Sequence, residues 1–581
     1  MSSHRFLLRT AKAEPTCAGF SGAEHIALDG LDLFVDATIP VIPLERERGC
    51  ILGFIVFKGT RAPLTRAIRT EEAQHILATR GEALCRNYWG AYCAILLDRP
   101  QRHIWFVRDP SGALPCYKLE QESGILLAPD LDLIFQNSDR PLDVDWRNLA
   151  RFLYASTPRR IHTCVEGVTE LRPGFATALH SRNDVARQIW SPWPHTSPRD
   201  RAATGEELEA VVRQSVAALA KPYDRVLVAA SGGLDSSIVA ASLSLEGQNF
   251  DCFTMATDEP SGDERPYARQ VANHLQTRLI DHLYDPKRVD LLVSSASHLP
   301  RPVGKYFMQE MRRGLADAVA ETGADAIFTG NGGDNVFCYL HSARPILDRI
   351  HVEGWTKGTW QTLVDMCRVT GADLFTMARL VAGDLVRPVR SLRWTGDSSF
   401  LQGDFDTKDL DDLLEPYLHD PFAGPLGKAQ HIAMVMRIRN YIEGDERATS
   451  PAIIAPLVSQ PVVEFCLSVA TWQWASGGVN RSLARKAFAD HLPPQIIART
   501  AKAGPDSFTA QLFVRNRSVL RSMLLDGVLA SNGIIDRGAV EIALTDPALV
   551  QAQGHHRLLM LTEAEAWCRS ILDRKAKQAR S

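Results

Sequence analysis

Several common signatures are missing from the 581-residue chain, and each absence narrows its class. No apolar run approaches the roughly 20 residues that a membrane helix requires, and residues 1–6 do not begin a secretory signal peptide. The eleven cysteines occur singly, without a Cys-x-x-Cys pair, so neither a zinc site nor a disulfide framework is indicated. A net charge of −3 provides no general attraction for nucleic acid or anionic lipid. We therefore expect a cytoplasmic protein that binds neither membrane nor nucleic acid.

The Gly-Lys-Ser/Thr triplet of the commonest phosphate-binding loop is also absent, but another glycine-rich loop is present. Residues 226–230 are small or apolar, as in a strand buried on both faces, and they lead into Ser231-Gly-Gly-Leu-Asp235-Ser-Ser237. Glycines let backbone N–H groups approach an anion, and hydroxyls and a helix N-terminus add donors. Asp235 would repel phosphate unless a cation such as Mg²⁺ lay between them. The residues predicted to bind phosphate in this loop are Ser231, Gly232, Gly233, Asp235, Ser236 and Ser237.

A second loop of this kind follows the predicted strand at residues 326–329. It reads Gly330-Asn-Gly-Gly-Asp334-Asn and again carries one aspartate. Loops at adjacent strand ends of a parallel sheet meet at one edge, so we expect Asp235 and Asp334 to lie about one cation apart. Gly330 and Gly332 are then predicted to border the nucleotide. For both loops, the structural alternative is an ordinary glycine-rich turn that binds no ligand.

The chain divides into two parts of different pattern. Residues 1–190 contain short strands at intervals of about ten residues, which predicts packed antiparallel sheets. Residues 191–204 are rich in proline and polar residues and are predicted to be a linker. From 205 to 581 strands alternate with helices, which predicts a doubly wound parallel sheet. The second part has a helical segment at 340–440 and starts with a helix capped by Thr204 and Glu207.

The first loop is identified as the pyrophosphate loop of ATP pyrophosphatases that form acyl-adenylates. The chain resembles the asparagine synthetase/β-lactam synthetase superfamily. The resemblance rests on this loop and on three further motifs: Arg108-Asp-Pro-x-Gly112, Leu171-Arg-Pro-Gly174 and the stretch from Leu492-Pro-Pro to Lys502. The resemblance implies an α/β protein with an N-terminal class II glutaminase-like antiparallel β-sandwich and a C-terminal ATP-pyrophosphatase domain. It also implies ATP and Mg²⁺ as cofactors, Asp235 and Asp334 as metal ligands, and Thr254 or Met255 as the adenine contact.

The N-terminal domain departs from this family at its first residues. The family's glutaminase nucleophile is a cysteine at the mature N-terminus, whereas Ser2 and Ser3 stand here and Cys17 is internal. Because the chemistry needs a thiolate, we predict a degenerate domain that serves as a scaffold and does not hydrolyse glutamine. An N-terminal serine nucleophile is the alternative.

Two catalytic residues follow from the resemblance. Counted back from Pro456, Glu443 occupies the position of the family's catalytic acid, with Glu446 as the nearby substitute. Lys502 matches a lysine that can neutralise phosphate and oxyanion charge. The structural alternatives are a solvated helix carboxylate and a surface lysine. Asn331 and Asn335 replace acidic residues of asparagine synthetases, which indicates a different nucleophile.

Three features together resemble the macrolactam synthetases (cyclases) of lasso-peptide biosynthesis: the missing N-terminal cysteine, Gly-x-Gly-Gly-Asp-Asn in the second loop, and Ala-Pro-Leu-Val-Ser-Gln-Pro at 455–461. The resemblance implies that ATP adenylates an Asp or Glu side chain of a precursor peptide, and that the peptide's N-terminal amine closes an isopeptide ring. A leader peptidase and a leader-binding protein would be further partners. The alternatives are a small-molecule β-lactam-type synthetase, an ammonia-dependent asparagine synthetase, and an inactive binding subunit.

Overall fold

The computed structural model describes residues 5–10, 17–20, 22–44, 48–64, 67–98, 103–157, 159–179, 185–259, 262–386, 396–403, 424–442, 451–500, 506–546 and 554–580. Ser2, Ser3, Glu443, Glu446 and Lys502 lie outside these ranges, so the predictions made for them stay predictions.

The N-terminal part contains two antiparallel sheets of six strands each within the described residues. In chain order the strands are β1 Phe6–Thr10, β2 Glu24–Leu28, β3 Leu31–Val35, β4 Val41–Pro43, β5 Gly49–Phe57, β6 Tyr88–Asp98, β7 His103–Arg108, β8 Tyr117–Gln121, β9 Gly124–Ala128, β10 Val168–Glu170, β11 Phe175–Ala178 and β12 Val185–Gln188. One sheet has the order β10-β8-β9-β1-β3-β2 and the other β12-β11-β7-β6-β5-β4. The longest register pairs β5 with β6, from Gly49 opposite Leu96 to Phe57 opposite Tyr88.

The two sheets pack face to face because alternate residues of their strands are apolar on both sides. Phe6 and Leu8 of β1 point into the core between the sheets with Phe106 of β7, whereas Leu7 belongs to the core on the opposite face. Helices cover the outer faces: α1 Thr70–Ala78 and α2 Glu82–Asn87 lie on one sheet, α3 Leu131–Asn137 and α4 Trp146–Tyr154 on the other. The predicted antiparallel β-sandwich is confirmed.

The C-terminal part is built on a parallel sheet with the order β15-β14-β13-β16-β17. Its strands are β13 Val226–Ala229, β14 Phe250–Ala256, β15 Leu279–Leu283, β16 Ala326–Thr329 and β17 Ala452–Ile454. Val226 of the central strand lies opposite both Phe250 and Ala326. The chain therefore winds outward from β13 in both directions, and the loops that follow β13 and β16 lie side by side. The predicted doubly wound sheet is confirmed, with β17 as an additional short strand beside prolines.

The helices of the C-terminal part surround this sheet. They are α5 Gly205–Ala220, α6 Leu234–Leu245, α7 Arg265–His274, α8 Phe307–Thr322, α9 Gly333–Val336, α10 Arg344–Glu353, α11 Lys357–Thr370, α12 Leu374–Val386, α13 Leu426–Arg437, α14 Arg439–Ile442, α15 Gln460–Ser468, α16 Ser482–Ala487, α17 Pro494–Ala498, α18 Asp506–Arg515, α19 Arg517–Leu525, α20 Val528–Ser531, α21 Arg537–Thr545 and α22 His555–Gln578. Helix α5 begins at the predicted capping box, in which Thr204 and Glu207 satisfy each other's backbone N–H groups. No helix among the described residues is long and apolar enough to cross a membrane.

One predicted helix differs from the structure. The charged pattern predicts a continuous helix over residues 434–447, but α13 ends at Arg437 and the short α14 begins at Arg439. Tertiary contacts explain the break. Ile438 is buried against Gly332 of the second loop, and Arg439 is buried and donates to the carbonyl oxygens of Pro110 (2.9 Å) and Ser111 (3.3 Å) in the N-terminal part. The guanidinium group of Arg439 therefore forms an interdomain contact and does not lie on a solvent-exposed helix face.

A buried cluster of one carboxylate and three guanidinium groups also joins the two parts. Glu170 of β10 accepts hydrogen bonds from Arg108 (2.9 Å) and Arg159 (2.6 Å), and from Arg301 of the C-terminal part (2.7 Å). Arg108 also donates to the backbone oxygen of Leu171. The family-like motifs at 108–112 and 171–174 therefore meet in this cluster and have a structural role there.

Candidate functional site

The two glycine-rich loops touch each other at the carboxyl edge of the parallel sheet. A Cβ atom on Gly330 would lie 2.4 Å from the backbone nitrogen of Ser236, so only glycine permits this approach. Gly232 has a φ of +66°, and a Cβ there would lie 2.5 Å from the Cβ of Tyr267. Gly332 packs against Val458, which follows β17. Because the loops are in contact, their aspartates are brought together.

Asp235 and Asp334 share one cationic group, the guanidinium of Arg481. Its Nη1 lies 3.1 and 3.2 Å from the two carboxylate oxygens of Asp235 and 2.5 Å from Oδ1 of Asp334. Asp235 is buried, whereas the side chain of Asp334 is 45% exposed. Arg481 precedes α16 in a left-handed backbone conformation, and its guanidinium lies over the ring of Tyr339. The two carboxylates therefore contact the same guanidinium nitrogen, and their role as metal ligands stays a prediction.

This donor set fits magnesium bound together with a nucleotide. Mg²⁺ is commonly held by one or two carboxylates, with phosphate and water oxygens completing its shell. Asp235 and Asp334 provide two carboxylates that already converge on one positive charge. The described residues contain no group of three or more His, Cys, Asp or Glu that would hold a metal without a ligand's help. Asp235 and Asp334 are thus the residues that would hold the ion.

The serine hydroxyls of the first loop brace the turn. Ser236 accepts from the backbone N–H of Ser231 (3.3 Å), and both Ser236 and Ser237 donate to the carbonyl oxygen of Gly233, at 3.3 and 2.8 Å. Ser237 is completely buried. These hydrogen bonds stabilise the turn that leads into α6. Contact of the hydroxyls with phosphate stays a prediction.

Two further arginines surround the first loop. Arg499 donates to the carbonyl oxygen of Gly232 (3.1 Å) and to Glu264 (2.9 Å), and stacks 3.9 Å from the centre of the Tyr267 ring. Arg485 donates to Asn480 and to backbone carbonyls. Burial, and then the nearby charge of Arg481, lower the pKa of Arg485 to about 10, so it stays protonated at neutral pH. Together with Arg481, these side chains make the loop region favourable for an anion.

The predicted adenine contacts lie on opposite faces of β14. Met255 is buried in the hydrophobic core beside Phe253 and Leu227, and Thr254 is buried on the other face of the strand. Their contact with a nucleotide base stays a prediction, and for Met255 the packing already accounts for the residue.

The two asparagines of the second loop have different surroundings. Asn331 is exposed at the tip of the loop. Asn335 is buried, and its amide donates to the backbone oxygen of Met434 (2.6 Å), which fastens the loop to α13. Asn335 therefore has a structural role in the second loop, which its side-chain hydrogen bond to α13 accounts for.

Arg481 is the residue of the site that sequence reasoning missed. The stretch at 478–488 is part of the resemblance, yet the pattern attaches no role to its first arginine. The one feature of the sequence that could have indicated Arg481 is its place as a basic residue just before a helix, in a segment that resembles the family. Its partners, Asp235 and Asp334, lie 246 and 147 residues away in the chain, so only the fold reveals the contact.

In the N-terminal part, the described residues contain no activated thiol. Burial raises the pKa of Cys17 despite the opposing charges of Arg9 and Arg5, and Cys50, Cys85, Cys93, Cys116 and Cys164 are buried. Burial also raises the pKa of Asp109 to about 6, although Ser111 and backbone N–H groups donate to its carboxylate. The prediction that the domain is a scaffold rests on Ser2 and Ser3, which lie outside the described residues, and it stays a prediction.

Comparison with known proteins places the chain in a family. It matches the family model "Asparagine synthase" over residues 207–569 and "Glutamine amidotransferase domain" over residues 64–190. No curated protein matches it significantly.

Two solved structures are similar in part. One is the glutamine phosphoribosylpyrophosphate amidotransferase from B. subtilis complexed with ADP and GMP, with 10% identity over 48% of this chain and 74% of that chain and a TM-score of 0.18. The other is the allosteric regulatory enzyme of purine biosynthesis, with 9% identity over 56% and 83% and a TM-score of 0.18. These likenesses are too distant to carry an argument. The match over residues 207–569 covers more than half of the chain, and on this ground the chain belongs to the asparagine synthase family of ATP-dependent carbon–nitrogen ligases.

Proposed function

We propose that this protein closes the macrolactam ring of a lasso peptide. In this reaction the side-chain carboxylate of an Asp or Glu in a precursor peptide attacks the α-phosphorus of ATP, giving an acyl-adenylate and pyrophosphate. The peptide's N-terminal amine then displaces AMP and forms an isopeptide bond. The observation that carries the ATP-dependent part is the convergence of Asp235 and Asp334 on one cationic group at the joined loops.

The chain's own residues supply mainly position and charge. Arg481, Arg485 and Arg499 surround the first loop, where they would stabilise the negative charge of the departing pyrophosphate. Mg²⁺, when bound by the two aspartates, would neutralise the phosphates and make the α-phosphorus more electrophilic. We assign Glu443 as the base for the attacking amine and Lys502 as the cation beside the developing oxyanion.

The choice of a peptide substrate rests on the departures from asparagine synthetase. The segment Ala-Pro-Leu-Val-Ser-Gln-Pro at 455–461 resembles the corresponding segment of the macrolactam synthetases. Asn331 is exposed at the second loop where asparagine synthetase has an acid. A leader peptidase and a leader-binding protein would prepare and deliver such a peptide.

An asparagine-synthetase-like reaction agrees equally well with the family match. It would use free aspartate and ammonia and would release the same AMP and pyrophosphate. A small-molecule β-lactam-type synthetase is the other enzymatic alternative. An inactive binding subunit is disfavoured because both aspartates and the surrounding arginines are in place.

The experiment is to incubate the full chain with ATP, Mg²⁺ and leader-free candidate peptides, and to measure peptide mass together with AMP and pyrophosphate. We expect the loss of one water from the peptide, one AMP per ring, and no reaction with Asp235→Ala. Pyrophosphate release driven by free aspartate with ammonium, without change in any peptide, would instead establish the asparagine-synthetase-like reaction. Absence of ATP turnover with every acid would support the binding subunit.

A further inference from the structure

A cavity with a volume of about 350 Å³ lies between the two parts of the molecule. One wall is a single face of α22, which presents His556, Leu559, Met560 and Glu563 at helical spacing. Phe152 of α4 and Phe307 of α8 contribute apolar surface. The cavity therefore combines apolar walls with polar and charged groups, and Lys305 and Arg437 are the cationic residues of its lining.

Glu563 is a buried carboxyl group in this lining with an unused acceptor. It is 1% exposed. Its Oε1 accepts from the hydroxyl of Ser294 (2.7 Å), the backbone N–H of Ser295 (2.8 Å) and the hydroxyl of Ser295 (3.3 Å). Its Oε2 has no hydrogen-bond partner among the described residues. A buried acceptor without a donor costs free energy that a ligand's N–H group can recover.

The backbone beside Glu563 is shaped around the carboxyl group. A Cβ on Gly304 would lie 2.0 Å from its Oε1 and 2.4 Å from the hydroxyl oxygen of Ser295. The loop before α8 thus closes on the carboxyl group from one side. Burial raises the pKa of Glu563 to about 7, so both protonation states are within reach near neutral pH.

Residues 437–440 lie next to both the cavity and the second glycine-rich loop. Ile438 packs against Gly332 of the second loop, while Arg437 and Asn440, on either side of Ile438 in the chain, line the cavity. A substrate that extends from the loops around α13–α14 would therefore reach the cavity.

We propose that this cavity binds the amino-terminal residue of the amine substrate, with the amine donating to Oε2 of Glu563 and an apolar side chain lying against Leu559 and Met560. The proposal rests on the proposed function, which requires a peptide with a free N-terminal amine, and adds the place where that amine is recognised. Glu563 is a binding and positioning residue that holds the substrate before its amine reaches the reacting centre.

The test is binding of two small probes to the full chain by equilibrium dialysis. Leucinamide carries a free amine and an apolar side chain, whereas N-acetyl-leucinamide lacks the ammonium group. We expect the chain to bind leucinamide. We expect it to bind the acetylated probe at least tenfold more weakly than leucinamide. Glu563→Gln should reduce leucinamide binding at least tenfold and remove the difference between the probes.

Glu565→Gln is the matched control, because Glu565 lies on the same helix, is completely buried, and instead accepts from the backbone N–H groups of Val528 and Leu529. It should bind leucinamide like the wild type. Met560→Trp narrows the cavity without changing the carboxyl group and should also weaken binding. Equal binding of both probes by the wild type, or unchanged leucinamide binding by Glu563→Gln, would overturn the proposal.

Hydroxylamine separates this proposal from the proposed function. It traps an acyl-adenylate as a hydroxamate without using the amine cavity. If the wild type forms hydroxamate on the peptide, Glu563→Gln should retain hydroxamate formation while its ring closure falls. Ring closure at the wild-type kcat/KM in that variant would contradict the cavity assignment. Absence of hydroxamate with the wild type would reject the proposed function. The dialysis experiment tests binding in the cavity independently of that outcome.

Discussion

Two clusters of carboxylate and guanidinium groups in this protein combine the two kinds of group in opposite proportions. At the glycine-rich loops, Asp235 and Asp334 both contact the guanidinium group of Arg481. Between the two parts of the molecule, Glu170 contacts Arg108, Arg159 and Arg301. Two carboxylates thus meet at one guanidinium group in the first cluster, whereas three guanidinium groups meet at one carboxylate in the second.

The surroundings of the clusters differ accordingly. Burial by itself would raise the pKa of Glu170, but the three guanidinium groups outweigh it and hold the pKa far below its usual range. The guanidinium group of Arg108 also donates to the backbone carbonyls of Leu114 and Gly112. Asp334, in contrast, is nearly half exposed. The comparison shows that a fully buried cluster is suited to join domains, whereas an open cluster, one with a partly exposed carboxylate, stays accessible to a ligand.

The largest effect is expected for Glu170→Gln. The change removes the charge of the carboxylate to which three buried guanidinium groups donate, which should lower the free energy of unfolding by about 3–5 kcal/mol. Urea denaturation of the full chain measures it. The matched control is Glu166→Gln, since Glu166 is exposed in the turn before β10. A loss below 1 kcal/mol would show that the interdomain cluster is not what stabilises the fold.

Next in size is the effect of Asp235→Asn on adenylation. The variant keeps the shape of the side chain but removes a charge from the open cluster, and AMP formation should fall at least about 100-fold. Asp251→Asn is the control, because Asp251 is a buried aspartate of β14 that pairs with Arg225 near the opposite edge of the sheet. AMP formation at the wild-type rate by Asp235→Asn would show that the open cluster does not bind the reacting phosphates.

Glu563 extends the comparison to a buried carboxyl group that forms no ion pair within the described residues, and it predicts a dependence on pH. Its pKa is raised from 4.5 to about 7, so the folded protein binds the proton more tightly than the unfolded chain. The stability contributed by this group is complete below about pH 4.5, declines as pH rises towards 7, and is level above that.

The free energy of unfolding declines by at most about 1.4 kcal/mol for each pH unit in this range. Urea denaturation of wild type and Glu563→Gln at pH 5, 6 and 7 measures it, and the variant should lose less stability over this range. Parallel stability profiles would mean that Glu563 has no raised pKa in the folded protein.

The smallest effect is expected for Arg301→Met. Glu170 keeps Arg108 and Arg159, so the carboxylate stays paired and the loss should be about 1.5 kcal/mol. Combining Arg301→Met with Glu170→Gln in a double-mutant cycle isolates the interaction between the two side chains. A loss as large as that of Glu170→Gln would show that the three guanidinium groups are not interchangeable.

Local patterns predicted much of the fold. The apolar run at 226–230 followed by two glycines specifies a buried strand and a tight turn, and the structure has β13 and α6 there. The capping box at Thr204 specifies a helix start by itself. That Asp235 and Asp334 approach each other was expected from two glycine-rich loops at strand ends, whereas the roles of the two residues stay predictions.

Other features depend on distant contacts and left no local pattern. The break between α13 and α14 arises because Arg439 reaches carbonyl groups of the N-terminal part. Strand β17 is too short for periodicity and forms because β16 offers it a free edge. The position of Glu443 and Lys502 relative to the loops lies outside the described residues and stays a prediction.

The sequence by itself determined the two-part architecture, the glycine-rich loops and their aspartates, because backbone conformation and side-chain periodicity are local properties. Only the tertiary structure decided that Arg481 lies between those aspartates, that three arginines enclose Glu170, and that Glu563 lines a cavity with an unused oxygen. Charges and cavities are shared by residues hundreds of positions apart, and their energies depend on burial, which a linear pattern does not contain.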